Sequence, residues 1–357
     1  MTQRYGQATV VFDGYEEGPS TKDCAHQQRS GVSGPSVNFD GDMVLKLKKD
    51  MFLSNSTNKQ RLIKLLGEKL QLSGCNITHA PGDADLMIVQ MAVQSAESIT
   101  TVLVGDDTDL LVLLCHHADT SAHDLFLIPQ PKQRSTKRKI WNIKKIKAAL
   151  GPETCACILF VHAILGRDTM SGIHGIGKGS ALKKIMTDTQ LQEQAEVFNN
   201  EDATKSDIIV AGEKSLVCLY NGRSEESLDS LRYSRFCQKI TTGTSFVQPE
   251  CLPPTSAAAR YHSLRVYHQV QQWRGASLPP LDWGWKLVDE RLLPVRTDLP
   301  AAHASLLEIV RCNCKSDSGS QRCSCRKNGL DCLAAHGNCR GQSCTKSASP
   351  DLGENDE

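Results

Sequence analysis

Residues 100–109 read Thr-Thr-Val-Leu-Val-Gly-Asp-Asp-Thr-Asp. The apolar, β-branched run Thr100 to Val104 predicts a strand, and the glycine and acids behind it predict a turn into the next element. Working back along the chain, Asp83 to Ala96 reads as a helix. Leu86, Val89, Met91 and Val93 are among its apolar positions, and the turn Ala80-Pro81-Gly82-Asp83-Ala84-Asp85 opens it. Ala8 to Asp13 (Ala-Thr-Val-Val-Phe-Asp) reads as a short buried strand ending in an acid. A polar stretch, Gly14 to Asp40, follows as a long loop or arch. Residues 56–72 read as a helix, with Leu62, Leu65, Leu66 and Leu70 recurring behind a Ser/Thr cap. Strand, helix and strand in alternation predict an α/β layer built on a parallel sheet.

Further on the texture changes. Residues 151–245 are almost wholly helical in pattern, and 246–304 hold one more helix (254–273) and a connector containing Pro279, Pro280, Trp283 and Trp285. Residues 305–346 are cysteine-rich, and 347–357 form a polar tail with too few apolar groups for a core. Residues 1–150 are thus the α/β part.

Lys plus Arg number 41 and Asp plus Glu 40, so any nucleic-acid surface must be a local patch rather than a global excess of charge. No uninterrupted apolar run reaches the length of a membrane span. The opening residues lack an apolar signal segment, so the expectation is an intracellular rather than secreted protein. Fifteen cysteines, seven of them packed near the C-terminus, fit a reducing compartment with a local metal site better than a disulfide scaffold.

The acids sit at element boundaries: Asp13 ends a strand, Asp83 and Asp85 open a helix, and Asp106, Asp107 and Asp109 follow a strand. Asp168 lies in Leu-Gly-Arg-Asp-Thr. The carboxyl ends of parallel strands form the ligand crevice of an open α/β sheet, so Asp13 and Asp107 are expected to face one region. Two carboxylates about 4 Å apart repel by about 4 kcal/mol at an effective dielectric of about 20. A group of four to six therefore calls for a divalent cation, and hard oxygen donors select Mg²⁺ or Mn²⁺. Helix capping by Asp83, and simple turn roles for single aspartates, are the alternatives. His79, His116, His117 and His174 are candidate neighbours of such a site, with packing or solvation as the plainer role.

Residues 172–181, Gly-Ile-His-Gly-Ile-Gly-Lys-Gly-Ser-Ala, read as a glycine-punctuated turn between two helices. Gly175, Gly177 and Gly179 let the backbone approach a phosphate, and Lys178, Lys183 and Lys184 add positive charge. Such contacts position a duplex without reading its bases. Eight Lys and Arg between Lys132 and Lys147, with no acid from Leu125 to Pro152, form either a nucleic-acid track or a solvated loop and helix face.

The cysteine run is Cys312, Cys314, Cys323, Cys325, Cys332, His336, Cys339 and Cys344. Seven thiolates and one imidazole make eight ligands, enough for two tetrahedral Zn²⁺ ions, with a bridged cluster as the other arrangement. Metal binding would supply the folding energy this stretch cannot find in a core.

Taken together, Val-Val-Phe-Asp-Gly, Ala-Pro-Gly-Asp-Ala-Asp, Gly-Asp-Asp-Thr-Asp and Gly-Arg-Asp-Thr followed by Gly-Ile-Gly-Lys-Gly resemble the flap-endonuclease branch of the PIN-domain nucleases, over about residues 8–190. The resemblance implies a PIN-like parallel sheet flanked by helices with a helix–hairpin–helix extension. It makes Asp13, Asp83, Asp85, Asp107, Asp109 and Asp168 the catalytic, metal-holding acids of a two-ion site. It implies metal-dependent hydrolysis of phosphodiesters in branched or single-strand-bearing DNA. The family pattern opens with an earlier strand and acid, and the family usually has Glu where Asp83 and Asp85 stand. On this resemblance the core is therefore incomplete at its N-terminus. The cysteine spacing resembles the tesmin-type CXC domain, which implies DNA binding by a zinc module. The family usually has a further Cys, and the position of His336 looks like one of them. The layout as a whole is similar to transposon-associated proteins of animals, and a nuclear location is the matching expectation. The leading function is a structure-specific DNA nuclease. The alternatives are a non-catalytic DNA- or chromatin-binding protein that keeps the nuclease fold as a scaffold, and a decayed transposon fragment.

Overall fold

The structure is a computed structural model and describes residues 8–14, 19–21, 34–130, 139–166, 171–242, 247 and 249–299. Asp168, all of the cysteine run from Cys312 to Cys344 with His336, and most of the 14–40 loop lie outside the described residues.

The architecture is mixed α/β. Strand β1 (Thr9–Phe12) is followed by helices α1 (Lys49–Leu53) and α2 (Ser56–Leu72), then by β2 (Asn76–His79), α3 (Asp85–Ala96), β3 (Thr101–Val104) and α4 (Thr108–His117). Next come β4 (Leu125–Ile128), β5 (Trp141–Asn142), α5 (Ile143–Leu150), α6 (Pro152–Ile164), α7 (Lys178–Ile185) and α8 (Thr189–Asn199). The chain continues through α9 (Lys205–Leu219), α10 (Leu228–Thr242), α11 (Ser256–Arg274), β6 (Trp285–Val288) and β7 (Arg291–Pro294). Among the described residues, no single helix is long and apolar enough to cross a membrane.

Sequence periodicity places the 56–72 helix correctly, but its cap is not Ser or Thr. The Asn55 side chain accepts the Asn58 N–H at 3.1 Å. The expected single parallel sheet is instead divided. β1 pairs in parallel with β2 (Val10 opposite Ile77, Phe12 opposite His79), and β3 pairs in parallel with β4 (Leu103 opposite Leu127). β5 adds an antiparallel edge to β4, while β6 and β7 form a separate hairpin. Among the described residues β1 has a strand neighbour on one side only. Thr9 is exposed and Val10, Val11 and Phe12 are half-buried, so the strand expected to be buried is an edge.

The described residues cluster into two units. The first takes those of Met1–Gly172, Gly177–Thr204 and Leu264–Pro294; the second takes those of Ile173–Ile176, Lys205–Ser263 and Val295–Glu357. In the first, α6 is the central element. Ten of its residues are buried, because its sequence is apolar on all sides and it is covered all round rather than on one stripe. Leu159 and Phe160 have no exposed surface, and the Phe160 ring packs on Phe198 of α8 at 4.6 Å. Leu113 and Leu114 of α4 are also fully covered. In the second unit Glu213 of α9 joins three helices. Its carboxylate accepts the Leu228 N–H at the start of α10 (3.0 Å) and the Ser256 hydroxyl at the start of α11 (2.7 Å).

The C-terminal end of α4 is fixed by two histidines. The His116 ring lies edge-on to His117 at 4.8 Å and its Nδ1 is 3.4 Å from the Cys155 carbonyl, while His117 Nε2 donates to the Trp273 carbonyl at 2.8 Å. Burial, with lesser repulsion from His117 and the cations Arg274 and Lys147, pushes His116 down to about 4. Burial also lowers His117 and His268. An unfolded chain takes up these protons near pH 6.5, whereas the folded chain resists until about pH 4 for His116. Stability present above pH 6.5 is therefore lost as the pH falls toward 4. Denaturant titrations should show a loss of about 2 kcal/mol from His116 between pH 7 and pH 5. His116→Gln should flatten that slope; an unchanged slope would contradict a buried neutral imidazole.

Candidate metal centre

The carboxyl end of β3 turns at Gly105 into three acids with three different fates. Asp106 is a turn residue: its carboxylate accepts the Gln130 N–H at 2.8 Å. Asp107 is the N-cap of α4 and accepts the Asp109 N–H at 3.0 Å, tethering the first turn of the helix. Asp109, in that first turn, is 7% exposed. Asp85 opens α3, one residue past its N-cap, Ala84. One carboxylate oxygen from each of Asp85, Asp107 and Asp109 lies within 4.8 Å of the others, with Asp85 half-buried, Asp107 exposed and Asp109 buried.

Three negative groups at this spacing repel one another, and the positive ends of α3 and α4 offset some of that repulsion. A cation between them removes the conflict. The donors fit a hard divalent ion, being carboxylate oxygens at two helix starts with one open side at Asp107. These three acids could bind a metal ion.

The other expected acids stand beside the trio rather than in it. Asp83 accepts the Asp85 N–H at 3.5 Å. Asp13 accepts the Ala84 N–H at 3.2 Å, so the carboxyl end of β1 reaches the start of α3. It does so as a backbone acceptor. Gly14 makes this possible: its N–H donates to the Gly82 carbonyl at 2.8 Å, and any Cβ there would lie 2.0 Å from the Ala80 oxygen and 2.3 Å from that of Pro81. Lys59 of α2 is near enough for the Asp13 charge to raise it, although burial lowers it by more. A cleft of about 470 Å³ opens beside Asp13, lined by Gln60, Lys64, Glu68 and His79 among others; the trio does not line it.

One residue at the site goes unmarked in the sequence reading. His162 of α6 is 5% exposed, and its Nε2 lies 3.0 Å from Asp109 Oδ1. Burial, with a smaller contribution from Lys178, pushes His162 down to about 4 against the opposing pull of Asp107. In this contact Nε2–H donates to the Asp109 carboxylate. The signal was one polar side chain in an apolar run, Ile158 to Ile164, six residues before Asp168.

The four histidines proposed as neighbours are elsewhere. His79 stacks on Phe12 at 5.5 Å, His116 and His117 lie at the far end of α4 from Asp109, and the His174 carbonyl accepts from the Tyr220 hydroxyl at 3.2 Å.

The glycine turn is present between α6 and α7. Gly175 has φ +78°, a conformation that suits glycine, and Gly177 is the N-cap of α7. Gly175, Gly177, Lys178, Gly179 and Lys183 are exposed and Lys184 is half-buried. A Cβ at any of the three glycines would meet nothing within 4 Å, so the backbone is open to approach. Two lysines of the upstream basic stretch make contacts within the fold. Lys144 pairs with Asp124 at 3.6 Å, and Lys147 donates to the Ala118 carbonyl.

No protein-family model matches the chain, and no curated protein matches its sequence.

Proposed function

We propose that the chain is a metal-dependent phosphodiester hydrolase of the flap-endonuclease type, with a PIN-like core and a C-terminal CXC-like zinc module, acting on branched or single-strand-bearing DNA in the nucleus. The observation that carries this reading is the convergence of Asp85, Asp107 and Asp109, from two helix starts, to within 4.8 Å. A divalent cation bound there supplies Lewis-acid activation of the phosphodiester and of the attacking water. The protein holds its ligands in place through the Asp107 cap and the two N–H groups taken by Asp13 and Asp83. The open backbone at Gly175, Gly177 and Gly179, with Lys178, Lys183 and Lys184, binds duplex phosphates. The thiolates and His336 in the 312–344 run suit two zinc ions by donor chemistry.

The test is incubation of the purified chain with a labelled flap substrate and Mg²⁺ or Mn²⁺. Cleavage is expected above that of an Asp107→Ala, Asp109→Ala double variant, and zinc analysis is expected to give about two ions per chain. No cleavage beyond the control removes the hydrolase. Asp13 favours a second reading, because it stands outside the trio and accepts the Ala84 N–H instead. On that reading the chain is a non-catalytic DNA- or chromatin-binding protein, and substrate binding without cleavage would mark it.

A further inference from the structure

We infer that His162 is a positioning residue for the metal centre, a donor that fixes the buried carboxylate of Asp109. The inference rests on the metal reading of Asp85, Asp107 and Asp109. Asp109 is held at two points, its N–H by Asp107 Oδ1 at 3.0 Å and its own Oδ1 by His162 Nε2 at 3.0 Å. Because Oδ1 of a carboxylate only accepts, Nε2 carries the proton, and the tautomer follows from the partner.

The imidazole is itself fixed. α6 buries the residues on either side of it, Val161 at 6% and Ala163 at 0% exposure. The ring of Trp273, 5% exposed, lies over it at 5.7 Å and 32°. Trp273 is anchored in turn by its carbonyl, which takes the His117 proton. Ordinary packing does not require a histidine at this place in an otherwise apolar run; an aliphatic side chain would fill it without burying polar nitrogens. A donor that aims a buried carboxylate is the use that repays the burial. Outer-shell donors of this kind alter metal affinity by about 10- to 100-fold.

Mn²⁺ binding by the zinc-loaded full chain tests this, with free Mn²⁺ followed by its electron paramagnetic resonance signal and the Asp107→Ala, Asp109→Ala variant as the blank. His162→Leu, which removes the donor but keeps an apolar filling, should weaken specific Mn²⁺ binding about 10- to 100-fold. His162→Gln, which places an amide N–H near Nε2, should restore most of it. Circular dichroism establishes that both variants are folded. A parent chain that binds no more Mn²⁺ than the blank overturns the metal reading and the role of His162 with it. A parent that binds, with His162→Leu equal to it, overturns the role of His162 alone. Equal weakening in the Leu and Gln variants, where a restored N–H donor brings nothing back, also overturns it.

Discussion

On the proposed hydrolase function, Asp107→Asn should reduce Mg²⁺-dependent cleavage by about 10²- to 10⁴-fold and leave the urea midpoint of the protein where it was. Asp107 has two jobs that this exchange separates. As the N-cap of α4 it accepts the Asp109 N–H through Oδ1, and asparagine caps a helix about as well as aspartate does. As a member of the acidic trio it contributes a formal charge, which asparagine lacks. A cation's charge stabilisation of a transition state amounts to several kcal/mol, and each 1.4 kcal/mol corresponds to about tenfold in rate. Asp107→Ala should show the same loss of cleavage and in addition destabilise the fold by about 1 kcal/mol through the lost cap. If the Asn variant cleaved at the parental rate, Asp107 would be a cap and nothing more.

How far the chain announces this arrangement differs from place to place. The helix over Ser56–Leu72 is legible because its leucines recur at helical spacing, and Asp85, Asp107 and Asp109 are legible because each stands where a strand or turn gives way to a helix. Asp106 looks identical to its neighbour in sequence; the Gln130 N–H, two residues past the end of β4, and the Asp107 cap bond separate their roles. The place of Asp13 depends on the Pro81–Ala84 turn folding under Gly14, a contact between residues about seventy positions apart. β2, Asn-Ile-Thr-His, is too short and too polar to stand out, and it shows only through its pairing with β1. The β6–β7 hairpin turns on Asp289 and Glu290, both at positive φ, where Asn-Gly would have been the recognisable signal. His162 is hidden because its partner lies fifty-three residues away, on another helix.

Phe160→Ala should be the most damaging single change to the first unit, costing about 3–5 kcal/mol of stability. Its side chain has no exposed surface and lies on the Phe198 ring at 4.6 Å, so truncation leaves a cavity between α6 and α8. α6 is enclosed on all sides, so its neighbours have little room to collapse into the space. Phe160→Leu keeps most of the volume and should cost substantially less. The comparison is made by urea denaturation of the two variants at pH 7, above the range in which the buried histidines titrate. A loss under 1 kcal/mol for the alanine variant would mean that α6 is not the centre of this unit.

The division of the parallel strands into two ribbons gives the molecule a firm rim and a loose one. β3 and β4 carry Leu103, Leu125, Leu127 and Ile128 inside the core, so their amide protons are shielded from exchange with water. Val10, Val11 and Phe12 of β1 are only half covered, and four register pairs hold β1 to β2. Solvent should therefore open that ribbon first and most often. Asp13 rides on it, whereas Asp107 and Asp109 ride on the shielded side. Transient opening would withdraw Asp13 from the Ala84 N–H at the start of α3 and leave Asp107 and Asp109 undisturbed.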